Sequence, residues 1–422
     1  MMICSWQSMC AVNYVDLTVY KKSSYAPSPT NALEREVDKI WNSFKSSLNE
    51  NFVSNSINTE EFWNTLRSSL DDGTFHNRIA NIQTADNKTG SDIFMQNIYR
   101  SIDQIAVKYQ TVAPTGDSIW VSGKLFLPKN KNAKNIIIAS HYTICANSEA
   151  PSNANSIEGI FATKDYIVLM PDYIGYGISD SLTHPYLHLN STVRSAIDLL
   201  KAAIPYLNAN SYTYRKPLIL VGYSQGAAAT LALQKELENE YANEFTIYKT
   251  YAGAGPYDLA ETFNFYTNYP RTNIPCSLPM LILGMNYGEN LGLDREEFFQ
   301  PILLEQCPLL IESKIHSMNT VNIALGNDIT QLLKPIIFYK DSFPTSVLFN
   351  AVEKNSIIKL SPKSYLYLFH STRDDMVPFL NSENLKLEFD SQQLDNIQYD
   401  FAPYGNHMTA AVTFFEKVYK SL

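Results

Sequence analysis

Leu218-Ile219-Leu220-Val221-Gly222-Tyr223-Ser224-Gln225-Gly226-Ala227-Ala228-Ala229 is the stretch whose reading decides the fold. The four aliphatic residues at its start read as a fully buried strand. Ala227 to Leu233 reads as a buried helix. Ser224 is caught between them on a turn so tight that residues 222 and 226 have no room for side chains, hence their glycines. A serine in this position has its hydroxyl thrust out at the carboxyl edge of a sheet, the geometry of a nucleophile elbow. Gly-x-Ser-x-Gly also occurs as an inert turn, and it is the strand before it and the helix after it that favour chemistry.

Composition sets the frame around this turn. The chain has 422 residues, enough for one large domain with insertions or for two ordinary ones. It is 45% hydrophobic and 18% charged, as globular proteins are, and its formal net charge is −9. That acidity disfavours nucleic acid and anionic membrane as partners. The cysteines Cys4, Cys10, Cys145, Cys276 and Cys307 are too scattered for a disulfide framework, although one bridge, for instance within the later insertion, stays open. None has zinc-site spacing, so no metal is expected. The first 25 residues show no charged amino end leading into an apolar core, so no intact secretory signal is read there.

Working outward from the elbow, strands are expected at Ile102–Thr111, Ile119–Leu127, Asn135–Ala139 and Tyr166–Met170. A helix follows, with the stripe Val193, Ile197, Leu200 and Ile204, stopped by Pro205. After the elbow come strands at Thr246–Ala252, Tyr365–Phe369 and Ile397–Phe401, and a closing helix at Ala410–Val418. Alternating strands and helices predict an α/β fold with a mostly parallel sheet covered on both faces. Residues 263–356 break the rhythm with prolines and long apolar stretches, and read as a mainly helical insertion over the sheet. Residues 1–95 read as a helical extension, with stripes at Leu33 to Leu48 and Phe62 to Leu70. The expected division is thus 1–95, a core in two parts at 96–262 and 357–422, and the insertion 263–356 as a lid or cap.

A serine hydroxyl needs a base to take its proton and an acid to orient that base. Behind an elbow of this kind the chain order is serine, acid, histidine. Only His316, His370 and His407 follow Ser224. His407 stands after the last strand and before the last helix, where a loop histidine can reach back over the sheet edge. His316 lies inside the insertion and His370 ends a strand, so both read as structural. The acid should leave the strand before His407. Asp374 is favoured over Asp375, which is one residue nearer Val377-Pro378. An oxyanion needs two N–H donors. One is the backbone amide of Gln225; the other is that of Tyr142 or Thr143, in Ser140-His141-Tyr142-Thr143. His141 reads as a support for that loop.

These motifs, with Pro171-Asp172-Tyr173-Ile174-Gly175-Tyr176-Gly177, His184-Pro185-Tyr186 and Gly405-Asn406-His407, resemble the α/β-hydrolase superfamily, in its secretory lipase and bacterial lipase-like esterase branch. The resemblance covers roughly residues 100–422 and is weakest across the insertion. It implies an eight-stranded core, a lid over the serine, cofactor-free hydrolysis of carboxylic esters, a small-molecule or lipid ester substrate with transient contact to a lipid interface, and export from the cytoplasm. The alternatives are a serine peptidase or amidase of the same fold, an acyltransferase, or a non-catalytic ligand-binding relative. No acid pair for recognising a free amine is evident, which counts against the peptidase, and the complete Ser224-Asp374-His407 set counts against the last.

Overall fold

The computed structural model describes residues 17–24, 102–154 and 156–422. The helical stripes expected between residues 30 and 95 lie outside them. Among the described residues the chain forms a nine-stranded sheet in the order β1-β2-β3-β5-β4-β6-β7-β8-β9. The strands are β1 (Thr18–Ser24), β2 (Ile102–Val112), β3 (Ser118–Pro128), β4 (Asn132–Ser140), β5 (Ile167–Pro171), β6 (Thr213–Tyr223), β7 (Ile247–Gly253), β8 (Tyr365–Ser371) and β9 (Ile397–Ala402). From β5 to β9 neighbouring strands run parallel. β1, β2 and β3 form an antiparallel flank.

Two expectations are corrected here. The sheet has nine strands rather than eight, and part of the 1–95 extension is a strand rather than helix. Both corrections come from β1, which pairs antiparallel with β2 and extends the edge of the sheet. Its sequence, TVYKKSS, is short and polar, as edge strands often are.

The apolar runs of the central strands have a simple cause. In β4 and β6, alternate side chains enter opposite cores. Ile136, Ile138, Leu218 and Leu220 join one cluster, while Ile137, Ala139, Ile219 and Val221 join the other. A strand buried on both faces loses the polar alternation of a half-exposed one. The first cluster is covered by α1 (Leu189–Ala209), α2 (Gln225–Glu240) and α8 (Leu380–Ser391), the second by α9 (His407–Ser421). Pro205 does not end α1, which runs on to Ala209. The proline is exposed and Leu207 beyond it is fully buried, so core packing carries the helix past a weak point.

Between β7 and β8 stand α3 (Leu259–Asn268), α4 (Ser277–Gly288), α5 (Pro301–Cys307), α6 (Met318–Leu325) and α7 (Thr345–Lys354), joined by short 3₁₀ and π turns. This segment is mainly helical and builds its own apolar core, to which the main body adds Cys145, Tyr186 and Leu187. Position 263, the expected start of the insertion, falls within α3.

Candidate active site

Ser224 joins β6 to α2 with φ 57° and ψ −127°. A side chain in this region costs roughly 1–3 kcal/mol and persists only where the surroundings dictate it. Here they do. The Ser224 N–H donates to the carbonyl of Gly253 at 2.8 Å. A Cβ at Gly222 would lie 2.1 Å from the carbonyl oxygen of Gly226, and one at Gly226 would lie 2.0 Å from that of Ser140. The glycines therefore let the elbow close on itself and let the loop after β4 press against it. Gln225 opens α2, so its N–H has no acceptor within the helix and sits at the positive end of the helix dipole.

The loop at Ser140–Cys145 is held from below by His141. The ring is buried, stacks on Tyr173 at 4.0 Å between centroids, and places Nε2 3.2 Å from the carbonyl of Asp172. Burial pushes its pKa down to about 4, so it is neutral at pH 7. The side chain of Tyr142 is exposed, whereas that of Thr143 is buried with Oγ1 2.9 Å from the Tyr186 hydroxyl. Both backbones belong to the segment that Gly226 touches.

Asp374 and His407 meet directly: Nδ1 of His407 is 2.6 Å from Oδ2 of Asp374, with both side chains almost wholly buried. The other carboxylate oxygen accepts the N–H groups of Met376 at 2.9 Å and Val377 at 2.8 Å. Burial alone would raise the Asp374 pKa. His407, with further help from His370, outweighs it and holds the carboxyl well below the usual range.

The contacts of three residues were not foreseen. Asp375 accepts the backbone N–H of His407 at 3.0 Å and the Asn273 side-chain amide at 2.8 Å. His370 does stay buried in the strand end, as its structural reading had it, but it places Nε2 3.3 Å from Asp374. The i,i+4 spacing of His370 and Asp374 was the available signal. His184 Nδ1 lies 2.8 Å from the Ile174 carbonyl, which makes it the donor and leaves Nε2 to accept from the Gln225 side chain at 3.3 Å. A cavity of about 150 Å³ adjoins His184 and is lined also by Tyr176, Met280, Leu283, Ile311 and Lys314. Ser224 is not among its lining residues. Among the described residues no group of three or more His, Cys, Asp or Glu side chains is placed to hold a metal.

Residues 155–270, which contain the elbow, match the family model for secretory lipase. The chain has the α/β-hydrolase fold. Three solved structures illustrate it. A Legionella pneumophila protein named only provisionally as a hydrolase superposes with TM-score 0.70 at 23% identity, over 76% of this chain and 88% of that one. The rice cell wall degrading esterase LipA from Xanthomonas oryzae gives TM-score 0.66 at 21% identity, over 76% and 89%. Candida antarctica lipase A gives 0.56 at 16%, over 74% of each chain. No curated protein sequence matches the chain. The expected resemblance is borne out by the match of residues 155–270 to the secretory lipase model, and the solved structures, an esterase and a lipase among them, share the α/β-hydrolase fold.

One group behind the site titrates in an accessible range. Glu158 is buried, neither of its carboxylate oxygens has a hydrogen-bond partner among the described residues, and burial raises its pKa to about 7. The folded-state value lies above the unfolded one, so its contribution is intact below about pH 4.5 and is lost as pH rises through 7. Glu158→Gln carries no such term. In urea titrations, its stability relative to wild type should rise by roughly 3 kcal/mol between pH 4 and pH 8. A difference that is flat with pH would show that Glu158 is not buried as a carboxyl group.

Proposed function

We propose that this chain is a serine carboxylic ester hydrolase of lipase or esterase type, with Ser224 as nucleophile, His407 as base and Asp374 as orienting acid. Ser224 Oγ attacks the acyl carbon while His407 Nε2 takes its proton. Asp374 holds Nδ1–H, fixes the tautomer and stabilises the imidazolium. The tetrahedral oxyanion is met by the amide of Gln225 and that of Tyr142 or Thr143. His407 returns the proton to the departing alcohol. Water, activated by the same base, then cleaves the acyl-enzyme. The observation that carries the reading is the 2.6 Å contact of His407 with a buried Asp374, in a chain whose strained serine stands at the elbow.

Ser224→Ala should lower p-nitrophenyl ester turnover by several orders of magnitude, since triad serines cost on the order of 10⁶. It should also abolish labelling by a fluorophosphonate. Retention of more than about a tenth of the activity would remove Ser224 from the role.

The two neighbouring acids separate by function. Asp374→Asn keeps the shape but presents an amide to Nδ1 and favours the wrong tautomer, so turnover should fall by about 10⁴. Asp375→Asn keeps an oxygen for the His407 backbone N–H and should cost far less. Steady-state kinetics of the two variants decide the ranking, and the reverse order would move the acid to Asp375.

Residues 263–356 are proposed to shape an acyl-binding surface, supported by their apolar core and by the cavity at Met280, Leu283 and Ile311. Each buried methylene is worth at most about 0.8 kcal/mol, so kcat/KM should climb up to about fourfold per methylene from acetate until the space is full. Leu283→Trp should move the optimum to shorter chains. A wild-type preference for acetate over octanoate would refute the acyl reading and favour a small-ester or peptide substrate.

A further inference from the structure

Cys145 leaves the loop after β4, and Cys276 immediately precedes α4 in the insertion. Both are thiols here and both are buried, at 1% and 0% exposure. Cys145 Sγ lies 3.7 Å from Met280 Sδ. Met280 stands one turn beyond Cys276, and its N–H donates to the Cys276 carbonyl at 3.0 Å. Cys276 therefore occupies the side of α4 that meets Cys145. The neighbouring Cys276 thiol is the first influence on the Cys145 thiol, ahead of burial, and both keep it protonated. Tyr176 and Tyr186 feel the two sulfurs together. Cys307 has other company, Glu312 and Arg295.

We propose that Cys145 and Cys276 form a disulfide joining the loop that carries Tyr142 and Thr143 to the insertion, and that the structure shows its dithiol form. The proposal stands on geometry and does not rest on the hydrolase reading. The oxidant is a small-molecule disulfide. One cysteine thiolate attacks it, forms a mixed disulfide and releases one thiol. The other thiolate attacks the protein sulfur of that mixed disulfide and releases the second thiol. The two protein thiols lose two electrons, their protons end on the departing thiols, and the oxidant is reduced to two thiols. Because both sulfurs are buried in the folded state, the exchange belongs to folding, before α4 docks. The bond would close a loop of about 130 residues, a length at which cross-linking strongly restricts the unfolded chain.

The bond and its partners can be read from one peptide map. The full chain is refolded in a glutathione disulfide/glutathione buffer, alkylated under denaturing conditions and digested with trypsin without reduction. Cys145 falls in the peptide 135–164, Cys276 in 272–295 and Cys307 in 296–314. The expected result is 135–164 joined to 272–295, separating on reduction with a gain of about 2 Da, while Cys307 is alkylated. In Cys276→Ala, Cys145 should become alkylatable. Reductant should lower the melting temperature of the wild type and leave that of the double variant C145A/C276A unmoved. Alkylation of both Cys145 and Cys276 in the equilibrated wild type, or capture of either by another cysteine, overturns the proposal. The wild-type map decides even if a variant fails to fold.

Discussion

The close approach of two backbones at Gly226 is the constraint on which the site depends. The carbonyl of Ser140 occupies the space that any side chain at position 226 would need. That contact presses the end of β4 at Ser140, with His141 after it, onto the start of α2. It also leaves Ser224 no relaxed alternative. The residue is pinned on one side by its bond to Gly253 and on the other by the helix it opens. Strain at Ser224 is thus balanced by order in three neighbouring strands, β4, β6 and β7, whose parallel registers fix the carboxyl edge of the sheet.

The acid and the histidine are built with the same redundancy. Each oxygen of the Asp374 carboxylate has donors: backbone amides of its own loop on one, the two histidine rings on the other. A buried carboxylate without such donors would take up a proton, as Glu158 nearly does. Asp374 remains charged because its donors exceed the penalty of burial. Asp375 completes the arrangement from outside. By accepting the His407 N–H it fixes where α9 begins, and so where the imidazole can lie.

Much of this was legible in the sequence because strong local patterns wrote it. The elbow declares itself through an aliphatic run, a glycine-flanked serine and an alanine-rich helix, and the central strands through apolar runs buried on both faces. Chain order then leaves few histidines and acids to choose from. What was not legible depends on long-range contact. β1 is a polar strand that exists through its ladder with β2. The helix stop expected at Pro205 is overruled by Leu207, whose burial lies in tertiary packing. The contacts of Asp375 with a backbone amide and of His184 with Gln225 have no periodicity to announce them.

The insertion is where sequence and structure differ most in emphasis. An apolar segment placed between a strand and the acid reads as a cover turned toward a substrate. Its apolar residues instead largely face one another, in a core of their own. The segment is also fastened at its base. Glu149 accepts N–H groups from Cys145 and Ala146 in the loop after β4 and from Met318 at the start of α6. Lys314 donates to the Asp180 carbonyl at 2.6 Å and to that of Leu182, and Asn355 accepts the N–H of Leu189 at 2.9 Å. These ties cross between the insertion and the loops that border the elbow. Displacing the whole insertion as one piece would strip the buried Lys314 ammonium of its carbonyl acceptors and take the Met318 N–H from Glu149, at a cost of several kcal/mol. The base of the insertion is therefore tied to the main body, and movement of the segment costs least in the parts distant from these ties.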